Sequence, residues 1–122
     1  MAFIADANFD AALSRISTNT ENLYITSAEA TSFAEASSTY KLCTKASPAF
    51  TGPADDTSGR KVTVDAITDG TVNATGTAGY WALTDDSASE LLATGALAST
   101  QGVTSGNTFT LTAIDITIAD AS

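Results

Sequence analysis

Apolar residues recur at every second position in short runs separated by turn residues, and this two-residue period limits the chain to a mainly β fold. Val62 and Val64 alternate with Lys61, Thr63 and Asp65, and Thr68-Asp69-Gly70 supplies a tight turn before Thr71-Val72-Asn73-Ala74-Thr75, so a hairpin is expected there. Tyr80-Trp81-Ala82-Leu83-Thr84, the polar stretch Asp85 to Ser89 and Glu90-Leu91-Leu92-Ala93-Thr94 make a second expected hairpin, closed by Gly95. Leu23 to Thr26 and Tyr40 to Thr44 are shorter β-prone runs nearer the N-terminus. In the last run Phe109 and Leu111 share one parity while Ile114, Ile116 and Ile118 share the other. A β-bulge near Ala113 is expected to keep all five on one face, because one extra residue restores the alternation. The fold expected is an antiparallel β-sandwich or a small jelly-roll-like barrel with a short N-terminal helix.

That helix is read from Phe9, Leu13 and Ile16, which fall at i, i+4 and i+7 within residues 5–17, with Asp6 as the expected cap. A lone helix this short is marginal in water and must dock, on its own domain in the first instance or on a neighbouring subunit. Residues 1–20 are thus an arm and helix, and 21–122 a single β-sandwich domain. The Ala-rich stretch Ala28 to Ser38 is one helical turn or a loop. Residues 47–59 gather both prolines, two glycines and Asp55-Asp56, and are expected as the longest loop.

Chemistry is constrained by what is missing. Without histidine the chain lacks the commonest general base, the usual activator of serine or cysteine, and the commonest transition-metal ligand. Lys41, Lys45 and Lys61 fall where solvent-facing strand positions are expected. Asp85, Asp86 and Glu90 match no calcium loop and read as a solvated hairpin tip; Asp55-Asp56 is a weaker carboxylate pair still. The single cysteine, Cys43, lies in an alternating strand and reads as a small buried hydrophobe, the other reading being an intersubunit disulfide. Trp81 reads as the largest core residue rather than an interface anchor. No glycine is followed by lysine at phosphate-loop spacing, so no cofactor, metal or catalytic residue is expected.

Five basic residues against fourteen acidic ones give a net charge of −9, which repels phosphate backbones and anionic membranes, so neither nucleic acid nor membrane is an expected partner. Ala, Thr and Ser make up almost half of the 122 residues. The first ten residues carry no base and only a brief apolar run, so synthesis in the cytoplasm is expected.

The strings LYITSAEATSFAEASSTY, GRKVTVDAITDGTVNATGTAGYWALTDD and LLATGALASTQGVTSGNTFTLTAIDITIAD resemble, in that order, a group of small virion-structural proteins of tailed phages and prophages of alphaproteobacteria. The resemblance runs from Leu23 to the C-terminus and implies a non-enzymatic virion component. It brings no catalytic residues with it. A capsid decoration or cement protein that stabilises the head lattice is the leading expectation, with a tail or fibre-associated subunit, as a receptor- or glycan-binding module, the alternative. The expected partners are the major capsid protein or other virion proteins, with the chain itself a homo-oligomer on the particle. The expected partner surface comprises Phe3, Ile4, Phe9, Leu13 and Ile16 together with Phe50 in the 47–59 loop.

Overall fold

A computed structural model describes residues 4–119. Helix α1 (Asp6–Asn19) is followed by strands β1 (Asn22–Thr26), β2 (Lys41–Ala46), β3 (Phe50–Asp55), β4 (Arg60–Val64), β5 (Ile67–Val72), β6 (Gly76–Asp85), β7 (Glu90–Val103), β8 (Thr108–Leu111) and β9 (Ile114–Ile118). The fold is mainly β, with two curled antiparallel sheets and one N-terminal helix. The larger sheet has the order β7-β6-β1-β2-β5-β8 and the smaller β3-β4-β9.

The connections force the curl. Strands β7 and β8 are opposite edges of the six-stranded sheet, yet only Thr104–Asn107 joins them. Five strand spacings would set those edges roughly 24 Å apart in a flat sheet. The five peptide steps from Val103 to Thr108 reach only about 18 Å. The sheet therefore rolls until its edges approach. The link is pinned across the β5–β6 connection: Val72 N–H donates to the Asn107 carbonyl (2.9 Å), Gly106 N–H to the Val72 carbonyl (3.0 Å), and Ser105 N–H to Thr75 Oγ1 (3.0 Å).

Leu23, Ile25, Cys43, Val72, Trp81 and Leu83 fill the inside of the roll, with Val64 of the smaller sheet and the half-buried Phe50, Ile114 and Ile116 packed against them. The outer face carries a second cluster, Tyr24 and Ala82, covered by Ala30 and Ala36 from the segment between β1 and β2. Of the two readings of that segment, a helical turn or a loop, it takes the helical turn, which is π-helical over Glu35–Thr39. Helix α1 packs on β3, β4 and β6, with Phe9 and Leu13 buried, so it closes the side between the two sheets. Asp6 lies in its first turn, but the N-cap is Ala5 and no side chain caps the helix.

Several local expectations are corrected by long-range packing. Residues Thr68-Asp69-Gly70 form no hairpin turn: they lie inside β5, which pairs with β2 and β8, while β4 belongs to the other sheet. Gly70 is needed there for room, since a Cβ would lie 1.9 Å from Cε1 of Phe109, its cross-strand partner. Gly95 does not end β7 but sits inside it under the Trp81 indole, where a Cβ would lie 2.5 Å from Cζ2. Residues 47–59 are not one long loop. They contain β3, an edge strand whose register shifts between Thr51 and Ala54, taking Gly52 and Pro53 out of the ladder, as proline in a sheet requires. The change of phase near Ala113 is real but is no bulge: β8 pairs in the larger sheet and β9 in the smaller, so the chain crosses between layers there. The crossing keeps Phe109 buried and Leu111, Ile114 and Ile116 packed on the core.

Candidate functional site

The side chains expected to meet a partner do not form one surface. Phe9 and Leu13 are 6% and 0% exposed, taken up by the chain's own interior, because an apolar helix face buries against the nearest sheet opening before it serves anything outside. Ile16 and Phe50 are half-buried against the main core. Ile4 stays exposed at 45%, and Phe3 lies outside the described residues. Helix α1 is thus part of the fold, and the expected partner surface of its apolar stripe is corrected accordingly.

Most of the charged residues are engaged separately, each by its own partners. Asp85 accepts from Ala88 N–H (3.3 Å), Asp86 from Tyr24 Oη (2.7 Å) and Thr84 Oγ1 (2.6 Å), and Glu90 pairs with Arg15 (2.6 Å). Three carboxylates within six residues of chain thus face separate partners. Burial pushes the Asp86 carboxyl up, but hydrogen bonds from Thr84, Tyr24 and Asn22 and the charge of Lys41 together hold it below its ordinary value. The Tyr24 phenol is raised well above its ordinary value, by burial first and then by the Asp86 carboxylate. Asp56 accepts from Thr57 N–H and Thr117 Oγ1, both at 2.8 Å. Arg60 bridges Asp10 (2.7 Å) and Asp55, tying α1 to the smaller sheet. Lys45 pairs with Asp69 (3.0 Å) and Lys61 with Asp115 (3.4 Å), while Lys41 stands 5.9 Å over the Tyr24 ring. Among the described residues no three His, Cys, Asp or Glu side chains gather to hold a metal ion.

Cys43 is fully buried, and burial pushes its thiol from 9.0 to about 11. At neutral pH it is a thiol and not the reactive thiolate. Trp81 is 8% exposed and belongs to the core.

The feature that sequence reasoning missed is an open seam between the edges of the rolled sheet. A cavity of about 430 Å³ lies between residues 97–104 of β7 and its link and residues 107–112 around β8. Its floor is the inside of the roll, with Ile25, Cys43, Val72, Ala78 and Phe109; the rest of its lining mixes Thr, Ser, Asn and Gln with Leu97, Ala98, Val103 and Leu111, and no charged side chain lines it. The reason is legible in retrospect: from Leu91 through Ile114 the chain contains no charged residue and no proline. Opposite Gly79 the ladder jumps from Ala78↔Gln101 to Tyr80↔Ala96, so residues 97–100 bow out of the β6 pairing at the mouth of the seam. The cavity holds neither acid nor base, so what it offers is shape, apolar surface and backbone hydrogen-bonding groups.

No protein-family model, no curated protein and no solved structure matches the chain.

Proposed function

We propose that the protein is a non-enzymatic structural component of a phage particle, a decoration or cement protein that works by repeated surface contacts on the head. One observation carries the structural part of this reading. Most of the acids and bases named above are engaged by an internal partner, while the cavity between β7 and β8 is uncharged and flanked by strand edges that, among the described residues, pair on one side only. A chain built this way binds through its outline. On a lattice, many weak identical contacts add by avidity, so no tight single site is required of one copy. The resemblance from Leu23 to the C-terminus to virion-structural proteins supports placing those contacts on a particle, with the major capsid protein or a neighbouring virion protein as partner.

Immunogold labelling of particles with an antibody to this chain tests the reading. Label over the head is the expected result; label confined to the tail would move the protein to the tail or fibre, and particles without label would remove it from the virion. Turnover of a polysaccharide by the purified chain, lost on changing one carboxylate, would overturn the non-enzymatic reading.

A further inference from the structure

We infer that the seam between β7 and β8 is a docking site for an extended peptide segment of a partner protein, which adds as a further strand and pairs with both edges at once. The inference deepens the assembly reading by naming the chemistry of the contact.

The first argument is the state of the edges. Exposed edge strands normally carry charges, prolines or irregularities that discourage pairing with another chain. The smaller sheet follows that rule, with Pro53, Asp55 and a register shift on β3 and Asp115 on β9. The edges of the larger sheet carry irregularities, the bow of residues 97–100 on β7 and the register slip of β8 against β5, but β8 and β7 beyond Glu90 have neither charge nor proline, and among the described residues β7 pairs with β6 alone and β8 with β5 alone.

The second argument is the geometry. Two edges of one sheet face each other across one cavity, and an extended segment is the occupant whose alternating N–H and C=O groups meet both sides. A second copy offering its own edge would pair with one side only and leave the other unmet. A helix would satisfy neither, because its backbone groups are already bonded along its axis. The period of two then sends alternate side chains of the segment towards the apolar lining that remains accessible, Leu97, Val103, Phe109 and Leu111, and the others to solvent.

Charge selects the segment. Its inward side chains meet no ion to pair with, so an inward charge would be desolvated without compensation. The net charge of −9 repels an acidic segment on approach. The fitting partner is apolar at alternate positions and neutral to basic at the rest.

Two pools of synthetic peptides of about seven residues, a length that suits one strand, test this. One pool carries Val, Ile, Leu, Ala or Thr at alternate positions and Thr, Ser or Lys between them; the other carries Glu at the alternate positions. Amide hydrogen exchange is followed on the whole chain. Members of the first pool are expected to bind with a dissociation constant below about 0.1 mM and to slow exchange in both 97–103 and 108–111, and the Glu pool to do neither. Slowing at one edge only, at neither edge, or equally with the Glu pool overturns the inference, as does protection that grows with protein concentration in the absence of peptide, the mark of a second copy. Gly102→Leu supplies the control: Gly102 borders the cavity and a Cβ on it meets nothing within 4 Å. The variant should melt at the native temperature and bind at least about tenfold more weakly; native affinity in the folded variant overturns the inference. Head labelling with no peptide pairing would leave the particle assignment standing and remove the seam, so the two failures are distinguishable.

Discussion

Two glycines set against two aromatic rings show how closely this interior is filled. Gly70 lies under Phe109 and Gly95 under Trp81, each glycine being the ring's own cross-strand partner. Gly70→Ala and Gly95→Ala are each expected to destabilise by about 1–3 kcal/mol, the usual cost of inserting a methyl group into a packed site. Gly102→Ala, in the same strand as Gly95 but with open space around its Cβ, should be neutral or stabilising by up to about 1 kcal/mol through a restricted unfolded chain. Urea denaturation of the three variants checks the contrast, and equal costs at all three positions would refute the packing argument. Cys43 gives a pH dependence. Its folded-state thiol is raised from 9.0 to about 11, so the stability it contributes is complete below pH 9 and is lost as pH rises towards 11. Each pH unit in that window removes up to about 1.4 kcal/mol, and Tyr24, also raised, adds to the loss at the alkaline end. Cys43→Ala should flatten the alkaline slope between pH 9 and 11, whatever it does to stability at pH 7. In the native chain at pH 7 the same burial should keep a thiol reagent from labelling Cys43 until denaturant is added.

At the scale of elements, α1 belongs to the interior. Leu13→Ala removes a fully buried side chain and is expected to cost about 2–5 kcal/mol by denaturant melting, whereas Arg15→Ala, which breaks an ion pair whose side chains are 56% and 42% exposed, should cost less than about 1 kcal/mol. A Leu13 variant of native stability would mean that the helix docks elsewhere. The stripe Phe9, Leu13, Ile16 revealed the helix from sequence, because a three-to-four period is a local signal. The β6–β7 hairpin was equally visible, since its turn at Asp85 to Ser89 and both strands lie within one stretch of chain. The misread elements share one cause. Thr68-Asp69-Gly70 has the composition of a turn, yet glycine is there to admit a ring from β8, about forty residues along the chain. Gly52 and Pro53 have the composition of a loop, yet an edge strand tolerates them where its register slips. In each case the residue type was set by a distant neighbour, and a window of ten residues contains no trace of it. The seam divides in the same way. Its uncharged edges stand plainly in Leu91 to Ile114, while its floor is assembled from β1, β2, β5, β6 and β8, and no local pattern joins those five.

For the whole molecule the deciding quantity is the balance between a few ion pairs and an excess of like charge. The described pairs are mostly at the surface, Arg60 with Asp10 being the best enclosed at 18% and 35% exposure, and exposed pairs contribute at most about 1 kcal/mol each. Against them stands a net charge of −9 on 122 residues, whose mutual repulsion opposes the compact state. Both effects weaken with salt, but not equally. A pair in contact is screened little by an ion atmosphere that thins from about 30 Å at 0.01 M to about 10 Å at 0.1 M, whereas repulsion between carboxylates spread over the surface acts across just such distances. The melting temperature should therefore rise as sodium chloride is increased from about 0.01 M to about 0.2 M, by about 4 °C for each kcal/mol of repulsion removed. Scanning calorimetry at fixed pH measures this directly. A melting temperature that falls with salt would mean that the ion pairs around Arg60, Lys45 and Lys61 outweigh the repulsion among the excess carboxylates.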